Sequence, residues 1–135
     1  MRKILLIMSA MLMAVVCGCA DEHTSAGSRQ SSYRQVASDE AKEMMESSSG
    51  YVILDVRTQE EFAAGHIPGA ICLPNEEIGK ESPAKLKNKD QEIFVYCRSG
   101  RRSKEAAQKL ADIGYTKVYE FGGINTWEGE IVTGE

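Results

Sequence analysis

The sequence predicts an α/β fold: a doubly wound, mainly parallel five-stranded sheet flanked by helices. Five short apolar or β-branched runs alternate with segments of helical periodicity along residues 33–121. Two of the runs, 51–54 and 93–96, are uninterrupted, as in parallel strands covered on both faces. The segment after the second run carries an apolar stripe at helical spacing, so strand and helix alternate as such a sheet requires.

The composition limits the chain to one compact domain with an appendage, because it has 135 residues and 42% apolar content. Its formal net charge is −4, from 16 basic and 20 acidic residues. Removal of Arg2 and Lys3 with a leader would leave 14 basic residues against 20 acidic ones. This acidic balance argues against a nucleic-acid partner.

The N-terminus predicts a leader segment. Two basic residues precede an apolar run over 4–16, which is shorter than the ~20 residues of a membrane-spanning helix and is typical of a signal-peptide core. The following Val16-Cys17-Gly18-Cys19 resembles the bacterial lipobox, in which the cysteine in the place of Cys19 is lipidated. The expected product is an exported, membrane-anchored lipoprotein that faces the periplasm or the cell exterior; the alternative is ordinary cleavage and release.

These features divide the chain into three parts. Residues 1–19 are the predicted lipoprotein signal peptide and lipobox. Residues 20–32 are rich in Ser, Gly and charge, with almost no apolar side chain, and predict a flexible linker. Residues 33–135 are the predicted folded domain.

The domain begins with a short predicted strand at 33–36. Ser38, followed by two acidic residues, predicts a helix start with negative charge at the positive end of the helix dipole. Gly50 is expected to close this helix, and the apolar strand at 51–54 follows.

Two features predict the connection to the third strand. Thr58 and Glu61 have the spacing of a capping box, and the short helix that they begin is expected to end at Gly65. Residues 70–73 form the third predicted strand, after which Ser82-Pro83 predicts a further helical turn with proline at its first position.

The last predicted elements are the apolar strand at 93–96, a helix that Gly114 terminates, and a strand at 117–121. The helix has its apolar stripe at Ala106, Ala107, Leu110, Ala111 and Ile113. Ligands of doubly wound folds bind beyond the carboxyl ends of the strands, where Cys97 stands.

The cysteines divide in the same way as the chain. Cys17 and Cys19 belong to the leader, which leaves Cys72 and Cys97 in the domain. Cys72 lies within an apolar run and is interpreted as a buried strand residue without a chemical role. No pair has CxxC spacing, so neither a disulfide framework nor a dithiol redox site is predicted.

Cys97 is the candidate nucleophile. It ends a strand and begins the loop Cys97-Arg98-Ser99-Gly100-Arg101-Arg102-Ser103, which leads into a helix. Several backbone N–H groups can converge at such a turn and form a cradle for an anion. The same positive potential favours thiolate over thiol and predicts a reactive cysteine near neutral pH.

Three motifs carry a family resemblance. The first comprises Asp55-Val56-Arg57, Glu61-Phe62 and Gly65-His66-Ile67-Pro68-Gly69-Ala70; the second is the Cys97 loop; the third is Phe121-Gly122-Gly123-Ile124-Asn125-Thr126-Trp127. In this order they resemble the rhodanese family, over nearly all of the chain from Tyr33 onward.

The resemblance implies a sulfurtransferase. The Cys97 thiolate would take sulfane sulfur from thiosulfate or a similar donor such as a persulfide, hold it as a persulfide, and pass it to a thiol or cyanide. The loop amides would hold the sulfur anion, no metal or organic cofactor would be needed, and a monomer is expected. The sequence leaves the physiological donor and acceptor open.

The predicted substrate-binding residues surround this cysteine. Arg98 and Arg102 are the best candidates for a sulfonate or persulfide charge, since guanidinium groups bind oxyanions in a fork geometry. Arg101 either joins them or faces solvent. Ser99, Gly100 and Ser103 complete the loop, and Arg57 either contacts substrate or forms a buried ion-pair frame with Asp55 and Glu61.

Structural roles are expected for the remaining motif residues. His66 should make a structural hydrogen bond, because a thiolate needs no general base for sulfur transfer. Gly122, Gly123 and Trp127 should pack the closing segment onto the domain.

Two alternatives remain open. Phosphatases and arsenate reductases also place an arginine after a cysteine loop, but phosphatase loops have five residues between the two, whereas Cys97 and Arg102 have four between them. The shorter loop favours a smaller anion cradle. The other alternative is a non-catalytic rhodanese-type interaction or sensing module, although such modules typically lack the cysteine.

Overall fold

The computed structural model describes residues 31–135. The predicted signal peptide, Cys19 and most of the predicted linker lie outside the described residues. The strands are β1 (Arg34–Gln35), β2 (Val52–Asp55), β3 (Ile71–Cys72), β4 (Glu92–Cys97) and β5 (Lys117–Gly123), and the α-helices are α1 (Ser38–Glu46), α2 (Gln59–Ala64) and α3 (Arg101–Ile113). Within the described part, none of the helices is long and apolar enough to cross a membrane.

The five strands form one sheet in the order β1-β5-β4-β2-β3. Every neighbouring pair is parallel. The predicted fold class, a doubly wound parallel sheet flanked by helices, is therefore confirmed.

Two apolar clusters cover the two faces of the sheet. One packs the stripe of α3 against the sheet and contains Leu86 and Tyr115. The other packs α1 and α2 against the opposite face and contains Phe62 and Phe94. The central strands contribute to both clusters because successive side chains of a strand point to opposite faces.

The candidate site lies where β2 and β4 run side by side. The helix after β2 covers one face of the sheet and the helix after β4 covers the other, so the chain diverges at the carboxyl ends of these two strands. Such a switch point is the usual ligand site of an open α/β sheet. Asp55 ends β2 and Cys97 ends β4 at this edge.

Several local predictions are confirmed. Thr58 and Glu61 form a complete capping box at the start of α2, and Gly65 caps its end. Gly114 caps α3 in the left-handed conformation, with φ of 116°. The predicted linker extends to residue 32, but Ser31 contacts α3: its hydroxyl donates to the Asp112 carboxylate at 2.8 Å.

The end of the first helix is corrected, and two further predictions are made more specific. The helix starting at Ser38 ends at Glu46 and is capped by Ser47, so Gly50 serves instead as a left-handed turn residue, with φ of 72°. The predicted helix start at Ser38 is confirmed: Ser38 is the first helical residue, and its hydroxyl donates to the Phe121 carbonyl. The predicted helical turn at Pro83 is a single turn outside any helix, in which the Leu86 N–H donates to the Pro83 carbonyl at 3.0 Å and the Leu86 side chain is buried.

Candidate active site

Cys97 lies at the base of a short loop between β4 and α3. Its side chain is buried, with 1% of the residue exposed. A bulge interrupts the β4–β5 pairing just before it, and Gly100, at φ of 116°, turns the backbone into α3. Bulges of this kind re-aim side chains next to active sites, and only glycine adopts the left-handed conformation without strain.

The loop directs hydrogen-bond donors at the Cys97 sulfur. The Gly100 N–H donates to Sγ at 3.0 Å, and the Ser103 hydroxyl lies 3.4 Å from the same atom. Burial raises the pKa of the Cys97 thiol, but hydrogen bonds from the Ser103 side chain and from the N–H groups of Ser103, Gly100 and Ser99 outweigh it. The net pKa lies below that of an ordinary thiol, which favours a nucleophilic thiolate.

Arg102 is committed to an ion pair. Its two terminal nitrogens bind the two carboxylate oxygens of Glu61 at 2.8 and 2.9 Å. This bidentate pair links the first turn of α3 to α2 and lowers the pKa of Glu61 to about 2. Substrate binding by Arg102 stays a prediction: in this geometry Glu61 occupies its guanidinium, and the pair ties the start of α3 to α2.

Arg57 is also held by protein groups. Its guanidinium binds the buried Asp55 carboxylate at 2.6 Å and the Gly65 carbonyl at 2.6 Å. The ion-pair frame is thus present, but Glu61 pairs with Arg102 and takes no part in it. The geometry favours the structural alternative for Arg57, since its donors face the protein rather than the Cys97 loop.

The remaining arginines of the loop are exposed. Arg101 contacts Glu105 one turn along α3 at 3.4 Å and faces solvent, which was one of the two alternatives for it. The Arg98 side chain has no hydrogen-bond or ion-pair partner among residues 31–135. Arg98 is therefore the loop guanidinium that an incoming anion could engage without breaking a protein contact.

Ser103 does not face the solvent as a substrate ligand would. It is fully buried beneath the loop. Besides Cys97, its hydroxyl contacts the Glu120 carboxylate at 2.6 Å and the carbonyl oxygens of Gly100 and Gly122. Substrate binding by Ser103 stays a prediction, and in the structure its hydroxyl contacts the nucleophile itself.

The closing motif supports the loop from below. Gly123 pairs with Cys97 in the sheet, and Gly122 has φ of 87°. The Asn125 N–H donates to the Arg98 carbonyl at 3.3 Å, so this segment also fixes the loop backbone. Trp127 packs against Phe121, as expected for a residue that docks the chain end onto the domain.

His66 makes the structural hydrogen bond expected of it. Its Nδ1 lies 2.8 Å from the Phe62 carbonyl oxygen, and its ring stacks on that of Phe62. Its backbone forms a bridge to Val132, which ties down the C-terminal segment.

Cys72 is separate from this site. It is buried, packs in the apolar cluster on the α1–α2 face, and burial raises the pKa of its thiol. Cys97 packs in the opposite cluster. Within residues 31–135 both cysteines are free, and no three His, Cys, Asp or Glu side chains group as metal ligands.

Sequence reasoning missed Glu120. This residue is 1% exposed, and its carboxylate accepts hydrogen bonds from the Gly122 N–H at 2.8 Å and from the Ser103 hydroxyl at 2.6 Å. The available signal was a carboxylate inside an otherwise apolar strand, between Tyr119 and Phe121. A charged residue in such a strand is either exposed at the edge of the sheet or buried with a specific partner.

Comparison with known proteins defines the class. The family model of the rhodanese-like domain matches residues 37–130, so the chain belongs to the rhodanese-like domain family. A solved structure described as a rhodanese with anions from Escherichia coli is 35% identical, with a TM-score of 0.57, and the match covers 63% of this chain and all of that one. A rhodanese-like domain protein from Staphylococcus aureus is 31% identical, with a TM-score of 0.63 and coverage of 76% and 99%.

Curated relatives point to sulfur transfer. The thiosulfate sulfurtransferase PspE of Escherichia coli is 35% identical over 71 residues, covering 53% of this chain and 68% of that protein. The thiosulfate sulfurtransferase GlpE of Coxiella burnetii is 32% identical over 104 residues, with coverage of 76% and 94%. The chain spans only 57% of another relative, YrkF of Bacillus subtilis, at 36% identity. These relatives support a sulfurtransferase-type enzyme.

Proposed function

We propose that this protein transfers sulfane sulfur from thiosulfate or a similar donor to a thiol or cyanide acceptor, through a persulfide on Cys97. The observation that carries the proposal is the contact of the Gly100 N–H with Cys97 Sγ at 3.0 Å. It supports a loop that stabilises negative charge on sulfur, and the lowered pKa of the Cys97 thiol agrees with it.

In the first step, the Cys97 thiolate attacks the outer sulfur of thiosulfate. A bond forms between Cys97 Sγ and that sulfur, the S–S bond of thiosulfate breaks, and its electron pair leaves with sulfite. The enzyme then carries Cys97–S–S⁻, with the charge on the outer sulfur. The short turn from Cys97 to Arg101 supports this step because its amides can hold the anion.

In the second step, an acceptor nucleophile attacks the outer sulfur. The bond between the two sulfur atoms of the persulfide breaks, and Cys97 leaves as a thiolate or thiol. With cyanide the product is thiocyanate, and with a thiol it is a new persulfide. The division of one transfer into two displacements is covalent catalysis, and neither displacement invokes a cofactor.

Electrostatics support an anionic donor. The chain is acidic, yet Arg98, Arg101 and Lys104 expose positive charge around the loop. The N-terminus of α3 adds its positive dipole end at the same place. Local attraction of this kind raises the concentration of a small anion at the site.

The proposed location is the cell envelope, with the folded domain anchored through lipidated Cys19 and acting as a monomer. Support comes from the leader pattern of residues 1–19. Metabolic labelling with a radioactive fatty acid tests it: label on the full chain that is lost in Cys19→Ser supports the anchor, and equal labelling of both contradicts it.

The transfer reaction is tested with the purified full chain, thiosulfate and cyanide. Thiocyanate should form with the native protein and not with Cys97→Ser, whereas Cys72→Ser, which alters a thiol outside the site, should remain active. Cys97-dependent hydrolysis of an aryl phosphate without sulfur transfer would favour the phosphatase alternative. Absence of both reactions would favour the non-catalytic module.

A further inference from the structure

The ion pair of Glu61 and Arg102 lies beside the Cys97 loop. Glu61 belongs to the first turn of α2 and Arg102 to the first turn of α3, and 32% and 19% of the two side chains are exposed. The pKa of the Arg102 guanidinium is raised first by its hydrogen bonds to Glu61 and, to a smaller extent, by the charge of Cys97. A carboxylate therefore occupies a cation that is within electrostatic reach of the nucleophile.

The contact between the two side chains has the form of oxyanion recognition. Arg102 Nη1 donates to Glu61 Oε2 at 2.8 Å, and Nη2 donates to Oε1 at 2.9 Å. A sulfonate or a sulfite presents two of its oxygens to a guanidinium in the same fork geometry. The Glu61 carboxylate thus uses the pair of donors that an oxyanion of the substrate would use.

Glu61 keeps other partners when Arg102 is withdrawn. Its Oε2 also accepts hydrogen bonds from the Thr58 N–H at 3.0 Å and from the Thr58 hydroxyl at 3.2 Å. Burial lowers the pKa of the Arg57 guanidinium, but Asp55 and the charges around it, that of Glu61 included, raise it overall. Arg57 is therefore a second cation near Glu61. Because the carboxylate is partly exposed and keeps these contacts, its separation from Arg102 has a small cost.

Arg102 differs from the two other arginines of the loop. Arg98 and Arg101 are exposed, whereas Arg102 is partly buried and held in one orientation. A charge in contact with bulk water attracts an anion weakly, and the attraction increases as water is excluded. Arg102 therefore offers the strongest oxyanion contact of the three, provided that Glu61 releases it.

We propose that Arg102 exchanges Glu61 for the sulfonate oxygens of the donor, and that Glu61 takes Arg102 back when sulfite leaves. Glu61 is a positioning residue in this account, since it touches neither donor nor acceptor and acts only through Arg102. The inference deepens the proposed function and rests on it.

The exchange matters most after the outer sulfur has moved to Cys97. Sulfite is then an oxyanion bound to Arg102, next to the negatively charged persulfide. The Glu61 carboxylate competes with sulfite for the guanidinium at a high effective concentration, because both residues belong to the same folded chain. Glu61 therefore speeds the release of sulfite, and the same competition weakens the binding of thiosulfate.

The first test is the binding of sulfate, which has the oxygens of a sulfonate but no outer sulfur to transfer. Sulfate should protect Cys97 of the full chain from alkylation by iodoacetamide, measured at constant ionic strength from the mass of the Cys97 peptide. Glu61→Gln should lower the sulfate concentration for half-protection by up to about fivefold, because a partly exposed ion pair contributes at most about 1 kcal/mol. Glutamine retains the capping box with Thr58, so the start of α2 is preserved.

The matched control is Glu60→Gln, which removes an exposed carboxylate from the same turn of α2 and should leave half-protection nearly unchanged. In Glu61→Gln combined with Arg102→Ala the gain should disappear, since it requires the freed guanidinium. Arg102→Ala alone should weaken protection, which tests the exchange even if Glu61→Gln does not fold. Unchanged or weaker protection in folded Glu61→Gln, or no protection in any variant, would overturn the proposal.

Steady-state kinetics with thiosulfate and cyanide test the role of Glu61 in turnover. Glu61→Gln should lower KM for thiosulfate and kcat together, and added sulfite should become a stronger inhibitor, because sulfite leaves more slowly. A merely structural pair predicts a higher KM, since a loosened loop binds the donor less well. A raised KM with weaker sulfite inhibition would overturn the proposal. If thiocyanate does not form at all, the proposed function fails, whereas the sulfate experiment still decides whether Arg102 exchanges partners.

Discussion

Gly123 packs directly against the backbone of Arg98: a Cβ atom at Gly123 would lie 2.0 Å from the Arg98 carbonyl oxygen and 2.6 Å from the Ser99 nitrogen. Because real Cβ contacts are never so short, the loop that carries Cys97 can adopt this shape only if position 123 is a glycine. The absence of a side chain at Gly123 in β5 thus lets the active-site loop pack against the last strand.

Gly123→Ala is expected to displace the loop and abolish most sulfur transfer, at a stability cost of about 1–3 kcal/mol from overpacking. The thiosulfate-to-cyanide assay and urea unfolding measure the two effects. Gly79→Ala is the control, since a Cβ there meets nothing within 4 Å. Full activity in Gly123→Ala would contradict the close support described for the loop.

Arg57→Ala is expected to lower the free energy of unfolding by about 3–5 kcal/mol, because it leaves the Asp55 carboxylate buried without its partner. Urea unfolding measures this loss. Arg34→Ala removes an exposed pair with Glu40 and should cost no more than about 1 kcal/mol. If Arg57→Ala instead raised KM for thiosulfate and left stability unchanged, Arg57 would be a substrate ligand.

Glu61→Gln is expected to weaken the dependence of stability on acid. The pKa of Glu61 falls from an ordinary 4.5 to about 2 in the folded protein, so its ion pair with Arg102 stabilises the fold above pH 4.5. This contribution is lost as the pH falls from about 4.5 towards about 2. Glutamine keeps the capping box with Thr58, which isolates the charge effect.

Urea unfolding across this acid range checks the Glu61 prediction, with an effect of about 1 kcal/mol because the pair is partly exposed. Glu105→Gln, in an exposed pair, should leave the native pH dependence unchanged. Equal slopes for Glu61→Gln and the native protein would show that this pair does not contribute to acid stability.

Arg98→Ala is expected to raise KM for thiosulfate by up to about fivefold, since an exposed charge pair is worth at most about 1 kcal/mol. Arg101→Ala should change KM less, because Arg101 already pairs with Glu105. Steady-state kinetics at low and high salt measure both, and the Arg98 effect should diminish with added salt. A larger effect for Arg101 would reverse the assignment.

The fold was predictable because each strand has its own apolar run and each turn its own chemistry. The strand at 93–96 corresponds to β4, and the Thr58–Glu61 box begins α2 as the spacing predicts. The errors lie at the ends of elements. Helix α1 stops at Glu46, before Gly50, because Ser47 already caps it, and around Pro83 only Leu86 anchors the chain.

The placement of Cys97 was predictable, but the partners of the charged residues were not. The spacing of Asp55, Arg57 and Glu61 suggested one frame, whereas Glu61 pairs with an arginine 41 residues away. Such pairings depend on how the first turns of α2 and α3 meet at the carboxyl edge of the sheet, which local patterns do not encode. For the same reason no local pattern predicts the contact between Glu120 of β5 and Ser103.

The central claim is that Cys97 Sγ is the atom that carries the transferred sulfur. The most direct measurement is the mass of the Cys97 peptide after the full chain is incubated with thiosulfate. The peptide should gain one sulfur atom and lose it when cyanide is added, while the peptide with buried Cys72 stays unchanged. A Cys97 peptide of unaltered mass, or sulfur on Cys72 instead, would contradict the account.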